Sequence, residues 1–269
     1  MSQDELEILD SFKNSPINQR FLDICIDLDD SDFEERIPRW LSKVSKSGCY
    51  KKQDIRQFWL FRIEDANGVP KPKARLTQIP RILERKGEKN IRAIEVVPSI
   101  EGQPPRLRFW QWRPGKRVTR FAELKAEVDR WLPDFQKEFG IEKFGGIWLH
   151  YLNDIGKIKH PKLWPEGSLK LSETLIFFQG GTRKLGTYVH PYRQEAIQKV
   201  DESEGTVFKT TFESTDSGIF NVIFECGNTH HPFERTLEEV DKEIETAHEI
   251  ILSQFAEHFT EETLQYFKG

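Results

Sequence analysis

Basic and aromatic side chains are interleaved between residues 106 and 120, and this stretch has the clearest potential for binding chemistry. It holds no acidic residue, and Phe109, Trp110 and Trp112 lie among its basic side chains. Guanidinium groups bind phosphates in a bidentate manner, and an exposed Trp ring can stack on a base. Alternation along a strand puts Arg106, Arg108 and Trp110 on one face. The pattern therefore predicts a binding ribbon of Arg106, Arg108, Trp110, Arg113, Lys116, Arg117 and Arg120.

The same stretch also has a purely structural interpretation. The aliphatic stems of its arginines can cover Trp110, while their charged ends pair with the acidic C-terminal region. Residues 51–120 hold 18 Lys and Arg against 7 Asp and Glu, whereas residues 201–269 hold 4 basic and 16 acidic residues. Either the two regions attract each other within one fold, or they offer a basic and an acidic surface to different partners. On the second interpretation, the acidic contact residues are Glu238, Asp241 and Glu245 on the polar side of the last long helix.

Metal, nucleophile and phosphate-loop patterns are weak. His230 and His231 are adjacent, so on an extended chain they point to opposite faces and chelate poorly. Cys25 and Cys226 lie in apolar stretches, where a buried, inert thiol is expected. The segment Gly180–Lys184 lacks phosphate-loop spacing and is better explained as a hairpin turn. We therefore predict no metal, no cofactor and no enzymatic activity, with an enzyme of unrecognised type as the remaining alternative.

Composition indicates a folded protein of a reducing cytosol. The chain has 269 residues, of which 37% are hydrophobic and 12% aromatic, which is enough for a core. Three cysteines without a CxxC motif favour a reducing compartment. The first residues are acidic and carry no apolar signal segment. No apolar run approaches the roughly 18 residues of a membrane-spanning helix, so we expect no membrane partner.

Hydrophobic periodicity predicts strands and helices in a repeated order. In the first half we expect a strand over 17–28, a helix from a capping box at Ser31–Glu34 to Lys46, strands over 57–63, 76–83, 91–97 and 106–112, and a helix over 119–139. Residues 69–73, with two prolines, are predicted to be a loop.

The second half repeats this order in outline. We expect strands over 147–155, 169–178, 185–190, 194–200, 206–213 and 219–225, a helix capped by Thr236, and a short final helix after Thr260. The predicted fold class is α+β, with antiparallel sheets packed against long amphipathic helices. The repeated order suggests an internal duplication near residue 140, with halves at 1–140 and 141–269 that form two domains or one compact domain.

Four segments together resemble a known group of proteins. They are Pro16-Ile17, the run Arg108–Arg113, the run His150–Ile155 and the terminal run Phe259–Leu264. In these the chain resembles a sporadically distributed bacterial family of hypothetical proteins of about this length. The family's central motif is usually Arg-Tyr-apolar-Asn-Arg-Ile, and here His150 and Asp154 replace the two arginines. The resemblance implies a soluble α+β bacterial protein and transfers no activity.

The functional expectation is therefore a non-catalytic protein that binds another macromolecule. Sporadic occurrence is typical of mobile defence loci, which suggests, by analogy, an adaptor, inhibitor or regulatory subunit in an antiviral defence, CRISPR-accessory or toxin–antitoxin locus. The partner we expect first is another protein. The alternative is a nucleic acid, bound by the basic and aromatic ribbon over 106–120.

Overall fold

Nine strands form one antiparallel sheet in the part of the chain that the structure describes. The computed structural model describes residues 12–47, 50, 52–66, 69–100, 102–113, 119–157, 192–201, 205–214, 220–228 and 232–269. Within these residues, five helices accompany the sheet. The predicted α+β class is confirmed, with the sheet as the larger part of the structure.

The strands are β1 (Ile17–Cys25), β2 (Lys52–Ala66), β3 (Val69–Lys86), β4 (Lys89–Val97), β5 (Arg106–Trp112), β6 (Ile147–Asp154), β7 (Tyr192–Asp201), β8 (Thr206–Ser214) and β9 (Phe220–Gly227). The helices are α1 (Asp30–Glu34), α2 (Arg36–Lys46), α3 (Phe121–Phe139), α4 (Leu237–His258) and α5 (Glu261–Lys268). A short 3₁₀ turn, Ile155–Lys157, follows β6. No helix in the described part of the chain is long and apolar enough to cross a membrane.

The order of strands across the sheet is β2-β3-β4-β5-β1-β6-β9-β8-β7. The two central strands, β1 and β6, pair with each other, and Phe21 lies opposite His150. Outward from β1 come β5, β4 and β3, and outward from β6 come β9, β8 and β7. A long helix follows β5, and another follows β9. The two halves of the chain thus share one sheet, and in each half the last strand lies beside the first, although the first half has five described strands and the second has four.

The helices share one hydrophobic core with one face of the sheet. Leu22 and Ile24 of β1 and Leu107 of β5 belong to this core, together with residues from α2, α3, α4 and α5. Strand alternation turns the intervening side chains to the opposite face. There a smaller cluster forms around Trp110, which packs with Leu83, Ala93, Phe21 and Trp112. Charged and aromatic side chains therefore meet on the face away from the helices.

The long C-terminal helix, α4, begins at the predicted capping box. The Thr236 backbone N–H donates to the Glu239 carboxylate at 2.7 Å, and the Glu239 backbone N–H donates to Thr236 Oγ1 at 3.3 Å. These bonds satisfy two N–H groups that have no partner within the helix. Thr260 caps α5 in a similar way by accepting from the Thr263 backbone N–H. Both predicted helix starts are confirmed.

Two local predictions are wrong. The first helix starts at Asp30 and not after a Ser31–Glu34 box, because the Asp29 backbone N–H donates to the carboxylate of Asp32. The predicted loop over 69–73 belongs to β3, whose residues 69–83 pair with β2. Its prolines fit there because a strand with a free edge tolerates missing N–H donors on that edge. The strands predicted over 169–178 and 185–190 lie outside the described residues.

Candidate functional site

The predicted basic ribbon lies on β5, beside the central strand β1. The register puts Arg108 opposite Asp23. Arg108 donates from Nε to Oδ1 of Asp23 at 2.5 Å and from Nη2 to Oδ2 at 2.6 Å. The nitrogen Nη1 of Arg106 lies 3.7 Å from the same carboxylate. The Asp23 side chain is only 2% exposed, so these charges form a buried ion-pair cluster.

Neighbouring strands extend this cluster across the sheet. Glu95 of β4 is fully buried and lies 3.3 Å from Nη2 of Arg56 and 3.6 Å from Nη1 of Arg81. Arg81 also pairs with Asp54 at 2.7 Å. Acidic residues thus neutralise the arginines on this face, and the acids come from β1, β2 and β4 rather than from the C-terminal helix. These arginines therefore do not provide the predicted attraction between the basic region 51–120 and the acidic region 201–269.

The aromatic residues of the ribbon are largely covered. Trp110 is 9% exposed, and its ring stacks on that of Trp112 at 5.1 Å between centroids. The guanidinium of Arg108 lies 5.3 Å from the Trp110 ring and 4.5 Å from the Phe21 ring. The Arg106, Arg108 and Trp110 side chains are therefore held within the protein, as the structural interpretation expected of the Trp110 ring.

The rest of the ribbon is dispersed. Arg113 donates from Nη1 to the carbonyl of Ser15. Arg120 is exposed where α3 begins. Lys116 and Arg117 lie outside the described residues. The structure thus does not gather the predicted basic residues into one exposed patch within the described residues.

The predicted acidic surface on α4 contacts a basic side chain of α3. Lys125 pairs with Asp241, and its Nζ lies 3.9 Å from Glu245. Glu238 is exposed at the start of the helix. Burial and the neighbouring carboxylates of Asp241 and Asp129 raise the pKa of Glu245, although Lys125 opposes them. Two of the three predicted acids therefore help to join the helices that follow the two sheet halves.

A second charged group lies near the middle of the sheet. Glu225 of β9 accepts hydrogen bonds from Trp148 Nε1 at 3.0 Å and from His150 Nδ1 at 3.1 Å, and its carboxylate lies 3.3 Å from the Lys209 ammonium. The His150 ring stacks on Phe21 at 4.1 Å. Burial raises the pKa of Glu225, but His150, Trp148 and Lys209 lower it by a larger amount. The resulting pKa is about 2. A carboxylate with this pKa and these donors is a poor proton acceptor.

The buried side chains of His248, Cys25 and Cys226 are uncharged at neutral pH. His248 exchanges a hydrogen bond of 2.7 Å with the hydroxyl of Tyr151 and stacks on Phe121 at 3.7 Å. Burial and the nearby Arg20 lower the pKa of His248 to about 3, so it is neutral at pH 7. Burial raises the pKa of Cys25 and of Cys226 to about 12, so both thiols stay protonated. This agrees with the buried, inert thiols expected from sequence.

A surface that the sequence analysis missed is the long hairpin of β2 and β3. Strand β3 pairs with β4 only from Arg81 onward. The preceding part of β3 pairs with β2 alone among the described residues, from Ile55 opposite Pro80 to Ala66 opposite Val69. We call this two-stranded segment, residues 55–66 and 69–80, the arm. At about 3.4 Å per residue it extends roughly 40 Å beyond the sheet.

The arm carries exposed apolar side chains. Trp59 is 58% exposed, Ile55 is 55% exposed, and Leu76, which lies opposite Trp59, is 39% exposed. Ile55 and Trp59 share the face of β2 on which Gln53 donates to the carbonyl of Pro38 in α2. The signal was present in sequence as a strand dense in aromatic residues, but its exposure depends on where β3 and β4 separate.

The chain matches no protein-family model and no curated protein. Within the residues that the structure describes, no group of three or more His, Cys, Asp or Glu side chains is placed to hold a metal ion. The two candidate sites are therefore defined by geometry. One is a buried row of charged and aromatic side chains across the sheet, and the other is an arm whose apolar face is exposed.

Proposed function

We propose that the protein is a non-catalytic, macromolecule-binding protein, an adaptor, inhibitor or regulatory subunit, that holds a partner protein on the apolar face of its arm. The observation that carries this proposal is the exposed cross-strand pair Trp59 and Leu76, with Ile55 on the same side. Exposed contiguous apolar groups, as distinct from single ones, are typical of interaction surfaces. Trp is also enriched among the residues that dominate binding energy at protein interfaces.

The shape of the arm supports the same proposal. A two-stranded ribbon is marginally stable by itself in water, because it has little area on which to bury side chains. Covering the exposed parts of Trp59, Ile55 and Leu76 would remove apolar area from water at about 25 cal/mol per Å². A partner that covers this face therefore stabilises the arm as well as the complex.

The arm fits this role better than the predicted ribbon does. Arg108 is held by a bidentate pair with Asp23, and breaking that pair would leave a buried charge without compensation. Trp59, by contrast, is available without any rearrangement of the sheet. The proposed contact residues are thus Ile55, Trp59 and Leu76.

The substitution Leu76→Asp tests the proposal, because it puts a charge in the centre of the apolar face. The matched control is Ile197→Asp, at a 67% exposed position on β7 at the other end of the described sheet. Tagged chains would be purified from the native host and their companions identified by mass spectrometry. A stoichiometric protein that is retained by the control and lost from Leu76→Asp supports the proposal. A companion retained equally by both variants refutes the arm as its site.

The alternative function is nucleic-acid binding, and the arm gives it some support too. Residues 55–80 hold five basic residues, Arg56, Arg62, Lys71, Lys73 and Arg75, against the two acids Glu64 and Asp65. Phosphate contacts are strongest at low salt. Binding of RNA or DNA by the purified chain at low salt, weakened by the paired change Lys73→Glu and Arg75→Glu, would favour this alternative. The absence of binding at low salt would exclude it.

We also propose that the two halves of the chain arose by duplication of one unit, with the boundary near residue 140. The matching strand order around β1 and β6 supports this, as does the long helix after β5 and after β9. The proposal concerns how the sheet arose and is independent of the partner.

A further inference from the structure

We infer that the free edge of β2 pairs antiparallel with β2 of a second copy of this chain, so that two arms join into one four-stranded ribbon. This inference rests on the backbone edge of the arm, whereas the proposed partner binding rests on its apolar face. The occupant of the edge is therefore the protein itself, and the two ideas can fail separately.

One edge of the arm is closed to pairing. Pro70, Pro72 and Pro80 lie on β3 opposite Asp65, Ile63 and Ile55 of β2. Proline has no N–H, so these positions fit pairs in which the backbone groups of β3 point away from β2. Three donors are thereby missing from the outer edge of β3, which is a common way to prevent association of strand edges.

The other edge of the arm has no neighbouring strand among the described residues. Strand β2 stands at one end of the sheet order, with β3 as its neighbour in the described part of the chain. Since the pairs that contain the prolines leave backbone groups pointing outward, the odd-numbered residues of β2 from Ile55 to Ile63 present N–H and C=O groups on this edge. No proline occurs in this segment. A long edge strand with exposed Trp59 is the kind of edge that recruits another strand.

The sequence of β2 is compatible with its own pairing. The pleat requires odd-numbered residues to lie opposite odd-numbered residues, so the two-fold axis must pass between one residue and the same residue of the second copy, and we name the axis by that residue. An axis at Leu60 puts Trp59 opposite Phe61 and Arg56 opposite Glu64 of the second copy, and each pair occurs twice. Aromatic and oppositely charged cross-strand pairs are favourable. No like-charged residues face each other in this register over residues 54–66.

Self-pairing is favourable in more than one register, since an axis at Phe58 places Asp54 against Arg62 and Lys52 against Glu64, which are oppositely charged pairs. An axis at Trp59 places Arg56 against Arg62 and Asp54 against Glu64, which are like-charged pairs. Every register of this kind sets the Trp59 side chains of both copies on one continuous face, because residues opposite each other share a face of a sheet. The charge order and the aromatic residues of β2 therefore fit self-pairing, and a second copy is the occupant that we infer.

The mass of the full chain in solution tests the inference. Light scattering at up to about 100 μM, where weak interfaces still associate, is expected to show a dimer. The variant Gln57→Pro removes an outward N–H of β2 without removing a bond to β3 and is expected to be monomeric. The matched control Gln57→Val should remain dimeric. A monomeric native chain, or a Gln57→Pro chain as dimeric as the native one, overturns the inference.

Cross-linking tests the register and covers the case in which Gln57→Pro perturbs folding. In a Cys49→Ser background, Leu60→Cys lies on the two-fold axis and is expected to form a disulfide-linked dimer under mild oxidation. Gln57→Cys is expected to stay unlinked, because its counterpart lies roughly 20 Å away along the strands. A lack of cross-linking by Leu60→Cys overturns the register. Leu76→Asp should leave the dimer intact, so a lost partner and a lost dimer are distinguishable.

Discussion

Arg108 and Asp23 form a bidentate ion pair at the centre of the sheet, with N–O distances of 2.5 and 2.6 Å. The two residues are far apart in sequence and meet because β5 pairs with β1. Arg106 shares the same carboxylate. A stretch that carries no acid of its own is thereby neutralised by a residue of the first strand.

Replacing Asp23 by Asn is expected to destabilise the protein by about 3–5 kcal/mol, because two partly buried arginines would lose the buried carboxylate that is their common counter-charge. The measurement is the free energy of unfolding from urea denaturation. Asp129→Asn is the control, since Asp129 is 51% exposed and pairs with Lys125 on the same helix. An exposed pair of this kind contributes about 0–1 kcal/mol. Equal effects of the two substitutions would contradict the buried role of Asp23.

Local sequence signals were sufficient to locate most elements. The predicted strand over 106–112 has the bounds that β5 has, and the Thr236 box starts α4 where expected. Both depend on residues within a few positions of each other: alternation in one case and a capping hydroxyl with a carboxylate in the other. Strand and helix identity could therefore be predicted at these positions without knowledge of the topology.

The candidate surfaces could not be predicted in the same way, because they depend on contacts between distant strands. Whether Arg108 is free depends on Asp23, which neighbours it only after β1 enters the sheet centre. Whether Trp59 is exposed depends on β4, which leaves β3 at Arg81. The prolines at positions 70 and 72 suggested a loop, since proline is rare in paired strands, but a free edge accommodates them.

Glu225 is expected to make the protein sensitive to acid. Its pKa is lowered from 4.5 to about 2, so the stability it contributes is present above about pH 4.5 and is lost as the pH falls toward 2. The contribution is on the order of 3 kcal/mol. Thermal unfolding between pH 5 and pH 3 should therefore show a shallower loss of stability in Glu225→Gln than in the native chain. Glu195→Gln removes the more exposed partner of the same Lys209 and should keep the native slope.

His248 is expected to make the stability of the protein depend on pH over a higher range than Glu225 does. Its pKa is lowered from 6.5 to about 3 by burial and by Arg20, so the unfolded chain takes up a proton that the folded chain refuses between these values. Stability should fall as the pH is lowered from 6.5 toward 3, with a slope of up to about 1.4 kcal/mol per pH unit from this residue. His248→Gln should flatten this part of the curve. An unchanged slope in that variant would show that the imidazole is accessible to protons in the folded state.

The arm is expected to be dispensable for folding. Its exposed residues Ile55, Trp59 and Leu76 lie outside the main core, and the sheet reaches β2 and β3 through the pairs near Arg81. A chain in which Asn-Gly replaces residues 59–76 would join Phe58 to Thr77, a pair whose backbone groups face each other, through a two-residue hairpin turn, for which this dipeptide is strongly favoured. We expect the free energy of unfolding to stay close to that of the native chain, because the buried side chains Thr77 and Ile79 at the base of the arm are retained. Cooperative unfolding should be kept while partner binding and dimer formation are lost. A shortened chain that unfolds without cooperativity would show instead that the arm is part of the folded core, and its exposed apolar face would then need another explanation.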